Sequence, residues 1–540
     1  MCACEKQDAT IAVQGIALQD ATAVISEEAV RIAFAIEPEN ATESYTLVWE
    51  SSDPSIAQVA QDGTVTALKK GSTQVFVYMK ERPSVQAKCM LTVASDDVVI
   101  PDERFRQALL TAFDQDGDGE ISRIEAWTVK RIFVPDLHIR SLKGIEYFEN
   151  LEVLDCRYNP LEPGSLDLSH NRNLRVLDCS GCSSLGALDV RENTVLDSLR
   201  CTGVRLSELD VTQNTVLRYL NCYYNNISEL DLSHNPELEF LSCGVNAFTT
   251  LDVTHNPRLK DLECTFAKVP TIDLSHNPDL EQLDVRCGEI VRLDVRANTA
   301  LKMLHVQSNH AMTELDVTQN TALRSLCTAK NAIEYLDVSH CVDLDTLWCE
   351  NNRLTQLDLS QNRMLRRVRC AGNRLTGSLD LGHTRLDYLE CHENFGLTQV
   401  VVPASVTYIN CSANRIEMLD LSACRQLKMV NCSGNALTEL DVTSSRELAI
   451  LRCAGNRLTE LDLTGLSEIW TLECYNNRLT DLDVSGNPTL RFIDCRGNAS
   501  LTRIFVWEGF DPDEQSWDQN QGTIPCFRKD QTARWEVKTT

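Results

Sequence analysis

Residues 217–237 read LRYLNCYYNNISELDLSHNPE, 238–258 read LEFLSCGVNAFTTLDVTHNPR, and 259–279 read LKDLECTFAKVPTIDLSHNPD. One 21-residue unit is written three times in succession, with leucines, a cysteine and an aspartate at fixed places. Outward from it, L-x-x-L-x-C recurs from Leu151 to Leu490 in 17 turns spaced 20 to 23 residues apart, some copies replacing a Leu or the Cys. A fixed period in this range signals a repeat architecture, in which each coil buries its apolar face only against its neighbours. The unit also contains two copies of itself, LRYLNCYYN and ISELDLSHN. Each half then crosses one side of a flattened coil and turns.

These residues match the leucine-rich repeat LxxLxLxxN. They resemble its bacterial 21-residue subclass with nested periodicity (called IRREKO), LxxLxCxxNxLxxLDLSxN. The resemblance covers residues 151–500 and implies a mainly β fold: a parallel β-solenoid of about 17 coils with two strands each, one at LxC and one at LDL or LDV. Parallel coils stack at about 4.8 Å.

The cysteine row, from Cys156 through Cys222 to Cys495, takes the inward position. In-register neighbours on parallel strands have parallel Cβ vectors about 4.8 Å apart. A disulfide wants about 3.8 Å and converging vectors. The row therefore reads as free thiols packing as small hydrophobes. Cys182, Cys287, Cys327, Cys341 and Cys424 fall off it. The aspartate row, including Asp231, Asp252 and Asp273, points outward, and Val401 interrupts it. Hydrogen bonds to loop N–H groups or to the following Ser/Thr are expected to offset the repulsion along it, which makes it scaffold. His234, His255 and His276 read as turn residues, and Asn225 and Asn235 as partners of loop backbone.

Three segments precede the repeats. Residues 9–96 show short β-type runs (IAVQGIAL, YTLVWE, STQVFVYM, AKCMLTV) broken by turn signals, the pattern of a small β-sandwich. VWESSDPSIAQVAQDGTVTALKKGSTQVFVYM resembles the group 2 bacterial immunoglobulin-like domains. That implies a spacer with Trp49, Ile56, Val59, Val65, Ala67 and Val75 in its core and turns at Gly63 and Gly71. Residues 97–150 read as a small helical cap. PDERFRQALLTAF is amphipathic, with Asp102 as its cap and Phe105, Leu109 and Phe113 on one face. DQDGDGEISRIE, residues 114–125, has the EF-hand loop pattern. A hard dication needs about seven oxygens at roughly 2.4 Å, so alternate residues of a tight loop turn inward. Asp114, Asp116 and Asp118, the Glu120 carbonyl, Ser122 and a bidentate Glu125 are the expected ligands of one structural Ca2+. The stretch from Ile100 through SLKGIEYFENLEVL resembles the N-terminal cap of internalin-type leucine-rich-repeat proteins. Residues 501–540 lose the period, and Trp507, Phe510, Trp517 and Trp535 are expected to cover the last coil.

A formal charge of −27 over 540 residues argues against nucleic acid, which wants a basic face. No apolar run approaches the ~18 residues of a membrane helix. MCACEKQD shows no export signal as written. ACEKQD resembles the start of a mature bacterial lipoprotein, which implies a tether over 1–8 with lipid on Cys4, or on Cys2, and a cell-surface location as an outer-membrane lipoprotein or a secreted protein, meeting a membrane only through that anchor. An ordinary N-terminus is the alternative.

The LxC face varies where the LDL face is monotonous. Aromatic, Met and Arg residues on an exposed sheet are typical interface anchors. Tyr219, Tyr223 and Phe240, then Trp348, and then Tyr388, His392 and Tyr408 are the candidate ligand-binding residues. No nucleophile elbow, zinc motif or Walker loop is present, and the periodic acids lie open rather than in a cleft. The expectation is a non-enzymatic surface protein that binds a host or surface protein, as the internalin resemblance implies. Glycan capture by the same aromatics is the alternative.

Overall fold

The computed structural model describes residues 10–25, 29–94, 97–513, 515–518 and 522–538, and the chain divides into two compact units, Met1–Val176 and Leu177–Thr540. Cys2 and Cys4 lie outside the described residues. The architecture is mainly β, with an N-terminal Ig-like domain and a parallel β-solenoid of about 18 turns.

In the first unit, strands Leu47–Ser51, Gly71–Met79 and Gln86–Ala94 form an antiparallel sheet, with Ala21–Val24 added parallel to Gln86–Ala94. A second sheet joins Val30–Arg31, Thr64–Ala67 and Ala57–Val59. Trp49, Val65 and Val75 are buried as expected. Ile56, Val59 and Ala67 are only half-buried, and Ala57 takes the core place beside them. Gly63 is a turn residue at φ +84, and a Cβ there would come within 3.1 Å of the Trp49 ring. Gly71, expected in a turn, instead opens a long strand.

The cap follows. Helix Glu103–Phe113 starts at Asp102, whose Oδ1 accepts from the Arg104 and Phe105 N–H groups, while Oδ2 accepts from Arg140 and Ser141. One carboxylate thus caps the helix and ties it to the chain entering the first coil. Strand Arg131–Phe133 then pairs in parallel with Val153–Asp155.

In the second unit one strand per coil stacks in register, from Ser198–Arg200 through Tyr219–Asn221, Phe240–Ser242 and Asp261–Glu263 onward. Leu217, Leu220, Cys222 and Leu232 are buried. Each such leucine contributes roughly 1.5–3 kcal/mol by leaving water. Asn225 donates to the Cys201 and Cys222 carbonyls, both at 2.9 Å, and its Oδ1 accepts from Val204 at 3.2 Å and Leu206 at 2.9 Å.

The expected second strand per coil is the main correction. Among the described residues the LDL side forms laddered strands only at Thr376–Asp380 with Gly396–Val401, and where Asp481–Asp483, Arg503–Val506 and Arg534–Val537 pair. The aspartate makes a local turn along this side. Asp231 Oδ1 accepts from Ser233 N–H at 2.9 Å and Ser233 Oγ at 2.6 Å, and the same turn recurs at Asp252, Asp273, Asp316 and Asp420. Asp380 and Asp483 accept from the Gly382 and Ser485 N–H groups in the same way inside the strands that do ladder, so the turn accompanies either geometry.

A second feature was not read from the sequence. The residue two places after the inward Cys position is left-handed in coil after coil, from Gly203 and Tyr224 through Phe266, Asn351 and Glu393 to Gly497. That conformation costs a non-glycine residue about 1–2 kcal/mol.

The C-terminal segment extends the sheets as well as covering the last coil. Phe527–Arg528 pairs with the strand at Ile493, and Phe510 packs on Trp507, Phe527 and Trp535 at 5.0, 4.6 and 4.9 Å. The side chain of Trp517 lies outside the described residues.

Candidate functional site

The cysteine row is packing. Its members are free and buried, and burial pushes the Cys222 and Cys370 thiols up to about 12. One off-row cysteine has a structural part. Asn235 donates to the Val211 and Asn214 carbonyls one coil back, at 2.9 and 3.0 Å, while its own Oδ1 is buried with no partner. At the equivalent place Cys341 offers its Sγ to Val317 and Asn320 carbonyls at 3.7 and 3.6 Å. The position needs a donor only, so a thiol serves.

The histidines of the LDL side are scaffold too. His234, His255 and His276 each lie 2.9–3.2 Å from their own coil's Ser233, Thr254 or Ser275 hydroxyl.

One group among the described residues could hold a metal ion. The carboxylates of Asp114, Asp116 and Asp118 lie within 4.8 Å of one another. Gly117 and Gly119, at φ 73 and 86, turn their N–H groups onto Asp114 at 2.7 and 3.0 Å. Glu125 closes the loop: Oε1 accepts from Gln115 N–H at 2.7 Å and Oε2 from Ser122 N–H at 2.9 Å. Ser122 is at the same time the N-cap of helix Arg123–Thr128, so Ser122 and Glu125 form a capping box. Three clustered carboxylates with a fourth reaching across the loop fit a hard, oxygen-seeking dication such as calcium. The Glu120 side chain lies instead 3.6 Å from Arg106, and its backbone carbonyl is the atom the loop pattern uses.

On the LxC face the register brings the aromatics into pairs. Tyr219 and Phe240 stack at 4.2 Å with planes 1° apart, and Arg200 lies over Tyr219 at 4.3 Å. Tyr388 and Tyr408 stack at 4.3 Å and 8°. Trp348 lies under Arg369 at 5.4 Å, and Arg369 Nε donates to Glu390 at 2.8 Å, which also accepts from the Tyr388 hydroxyl. Burial and that hydrogen bond push the Tyr388 phenol well up. Burial pushes the neighbouring Glu350 carboxyl up, and its Oε2 is buried without a hydrogen-bond partner. Trp348, Tyr388 and Tyr408 thus belong to one connected patch. Two candidates stand apart: Tyr223 contacts Tyr224 at 6.5 Å rather than the Tyr219 stack, and His392 pairs with Glu393 at 3.7 Å. Arg200, Glu390 and Tyr224 were missed, because charge partners and left-handed positions show only once the register is known.

Residues 12–89 match the bacterial Ig-like domain (group 2). A curated relative, an uncharacterized protein of Clostridium acetobutylicum, is 38% identical over 68 residues, 13% of this chain and only 16% of that protein's length. Among solved structures, the functional domain of InlJ from Listeria monocytogenes, described as including a cysteine ladder, is 27% identical with a TM-score of 0.56, over 80% of this chain and 91% of that one. YopM from Yersinia enterocolitica shares the fold at 18% identity and a TM-score of 0.51, over 80% of this chain and 94% of that one. The structural neighbours are internalin and leucine-rich-repeat proteins, which points to a protein-interaction surface on a surface or secreted protein. No helix among the described residues is long and apolar enough to cross a membrane.

Proposed function

We propose that the chain is a non-enzymatic adhesion protein of the bacterial cell surface that captures a protein through the LxC face. The observation that carries this is the pair of half-exposed ring stacks, Tyr219 on Phe240 and Tyr388 on Tyr408, held on one strand register. Rigid aromatics cost little entropy to bury, which is why such residues dominate interface energetics. The LDL face mostly repeats the Asp–Ser/Thr turn, with Tyr335 and Met418 exposed singly along it. The Ig-like domain acts as a spacer, and lipid on Cys4 would tether the chain.

Calcium in the loop 114–125, held by Asp114, Asp116, Asp118, the Glu120 carbonyl, Ser122 and Glu125, stiffens the cap rather than switching it. The capping box that Glu125 closes supports this, because it joins the loop to the helix that follows.

Screening the protein against a panel of purified extracellular proteins and a glycan array tests the main reading. The expected result is a protein ligand whose affinity falls at least tenfold in Tyr219→Ser/Phe240→Ser or Tyr388→Ser/Tyr408→Ser. Selective sugar binding with no protein ligand would falsify it and favour glycan capture.

A further inference from the structure

The left-handed position at the strand ends is filled by glycine or asparagine at Gly203, Asn351, Gly372, Gly434, Gly455 and Asn476. Six consecutive coils depart from this, Tyr224 at φ 57, Val245 at φ 51, Phe266 at φ 56, Cys287 at φ 55, Ser308 at φ 61 and Lys330 at φ 56, as do Tyr158, Glu393 and Ala413, and bulky or β-branched side chains fall together at 224–266. A bulky or β-branched residue at positive φ is an outlier, and glycine would relieve it. The core does not ask for the two aromatic side chains, since Tyr224 is 64% exposed and Phe266 55%. Strain of this kind persists where function holds it.

This ridge lies along the turns that follow the strands of the Tyr219–Phe240 stack, and Tyr223, two residues past strand Tyr219–Asn221, contacts Tyr224. Across the strands, Arg200 covers one end of the stack. At the other end Phe240 is in register with Asp261, and Glu263 is in register with Asp284. Glu263 accepts from Ser242 at 2.8 Å, and Asp284 pairs with Arg286 at 3.0 Å. Asp261 is half-buried beside them and has no cation of its own among the described residues. The far face of Phe240 therefore offers, next to a free carboxylate, the seat that Arg200 already occupies on Tyr219.

We propose that coils 217–287 form one docking patch for a protein segment carrying an apolar side chain beside an arginine or lysine. The apolar group seats on Tyr224 and Phe266. The cation lies over Phe240 and pairs with Asp261 and Glu263. The proposal rests on the reading of the LxC face as a protein-binding face and names the chemistry of its partner.

Panning the whole chain against a phage-displayed library of random peptides provides the test. Enriched peptides should pair Arg or Lys with Leu, Phe or Trp. Their affinity should fall at least tenfold in Tyr224→Gly/Phe266→Gly and in Asp261→Asn/Glu263→Gln. The melting temperature of the glycine variant should hold or rise, whereas a merely structural role would lower it. Peptides bound equally by the glycine variant but lost by Tyr219→Ser/Phe240→Ser would overturn the ridge and leave the face reading standing. Enrichment of acidic peptides, or of none, would overturn the partner chemistry. Peptides indifferent to every variant would remove both.

Discussion

The Tyr219 ring lies flat on Phe240 one coil away, 4.2 Å between centroids and 1° between planes. Such contact follows from a 21-residue period, which puts one outward residue directly above another on in-register strands. An aromatic pair of this kind is worth about 0.5–1.5 kcal/mol beyond its area. A double-mutant cycle of Tyr219→Ser and Phe240→Ser should therefore show a coupling of about 1 kcal/mol in urea unfolding. Additive effects would mean the rings do not stack in solution.

The Asn ladder predicts an order of tolerance. Asn235 uses its donor on two carbonyls and leaves its acceptor unmatched, and Cys341 fills the equivalent place with a thiol alone. Asn235→Ser keeps a donor and should cost about 1 kcal/mol. Asn235→Asp aims an acceptor-only carboxylate at two carbonyls in a dry core and should cost more than about 3 kcal/mol. Thermal melts of the two variants decide it. Equal losses would show that the position is filled for shape rather than for hydrogen bonding.

Much of this was legible beforehand. The period set the solenoid, the inward cysteines and the outward aspartates, because a side chain's direction follows from its place in the coil. The second strand was misread because LDL and LxC look alike as apolar alternations. The local bonding is alike as well, since Asp231 accepts from the Ser233 N–H on one side and Asn221 from the Tyr223 N–H on the other. Tyr224 went unread because backbone handedness leaves no mark on hydropathy. The pairing of Trp348 with Arg369 and Glu390 needed the register, since those residues lie 21 positions apart or more.

The aspartate row makes the fold acid-sensitive. The Ser233 hydroxyl and N–H hold the Asp231 carboxyl below its ordinary range, and Arg296 holds Asp294 down to about 2. A group whose folded pKa is depressed stabilises above its unfolded value and loses that contribution as pH falls through the folded one. The melting temperature should thus hold above about pH 4 and fall between pH 4 and 2. A flat profile there would show that the turns contribute nothing.

Thiol chemistry should separate the cysteines. Burial pushes Cys222, Cys411 and Cys453 up to about 12, which leaves almost no thiolate at neutral pH, while Cys287 is half-exposed. Among the cysteines of the described residues, Cys287 should be alkylated first in the native chain, and the inward row only after unfolding. Peptide mapping after a short iodoacetamide pulse reads this directly. Early labelling anywhere in the row would mean that the solenoid opens locally or that the thiols are not packed.

Glu125 has two duties in the cap, and one substitution separates them. As the third residue of helix Arg123–Thr128 it completes the capping box, a place that glutamine also fills. As the last residue of the loop it would supply two charged oxygens to calcium, which glutamine cannot. With chelator present, Glu125→Gln should melt within about 1 kcal/mol of the parent, since only one of the two N–H contacts at Gln115 and Ser122 loses its acceptor. With calcium at a hundredfold over its dissociation constant, the parent should gain about 2.7 kcal/mol, and Glu125→Gln should lose most of that gain. Asp114→Ala should lose it as well, and calorimetry should show one site disappear in each variant. If the parent binds no calcium, or if Glu125→Gln binds it as tightly, the loop 114–125 is a capped acidic turn and nothing more.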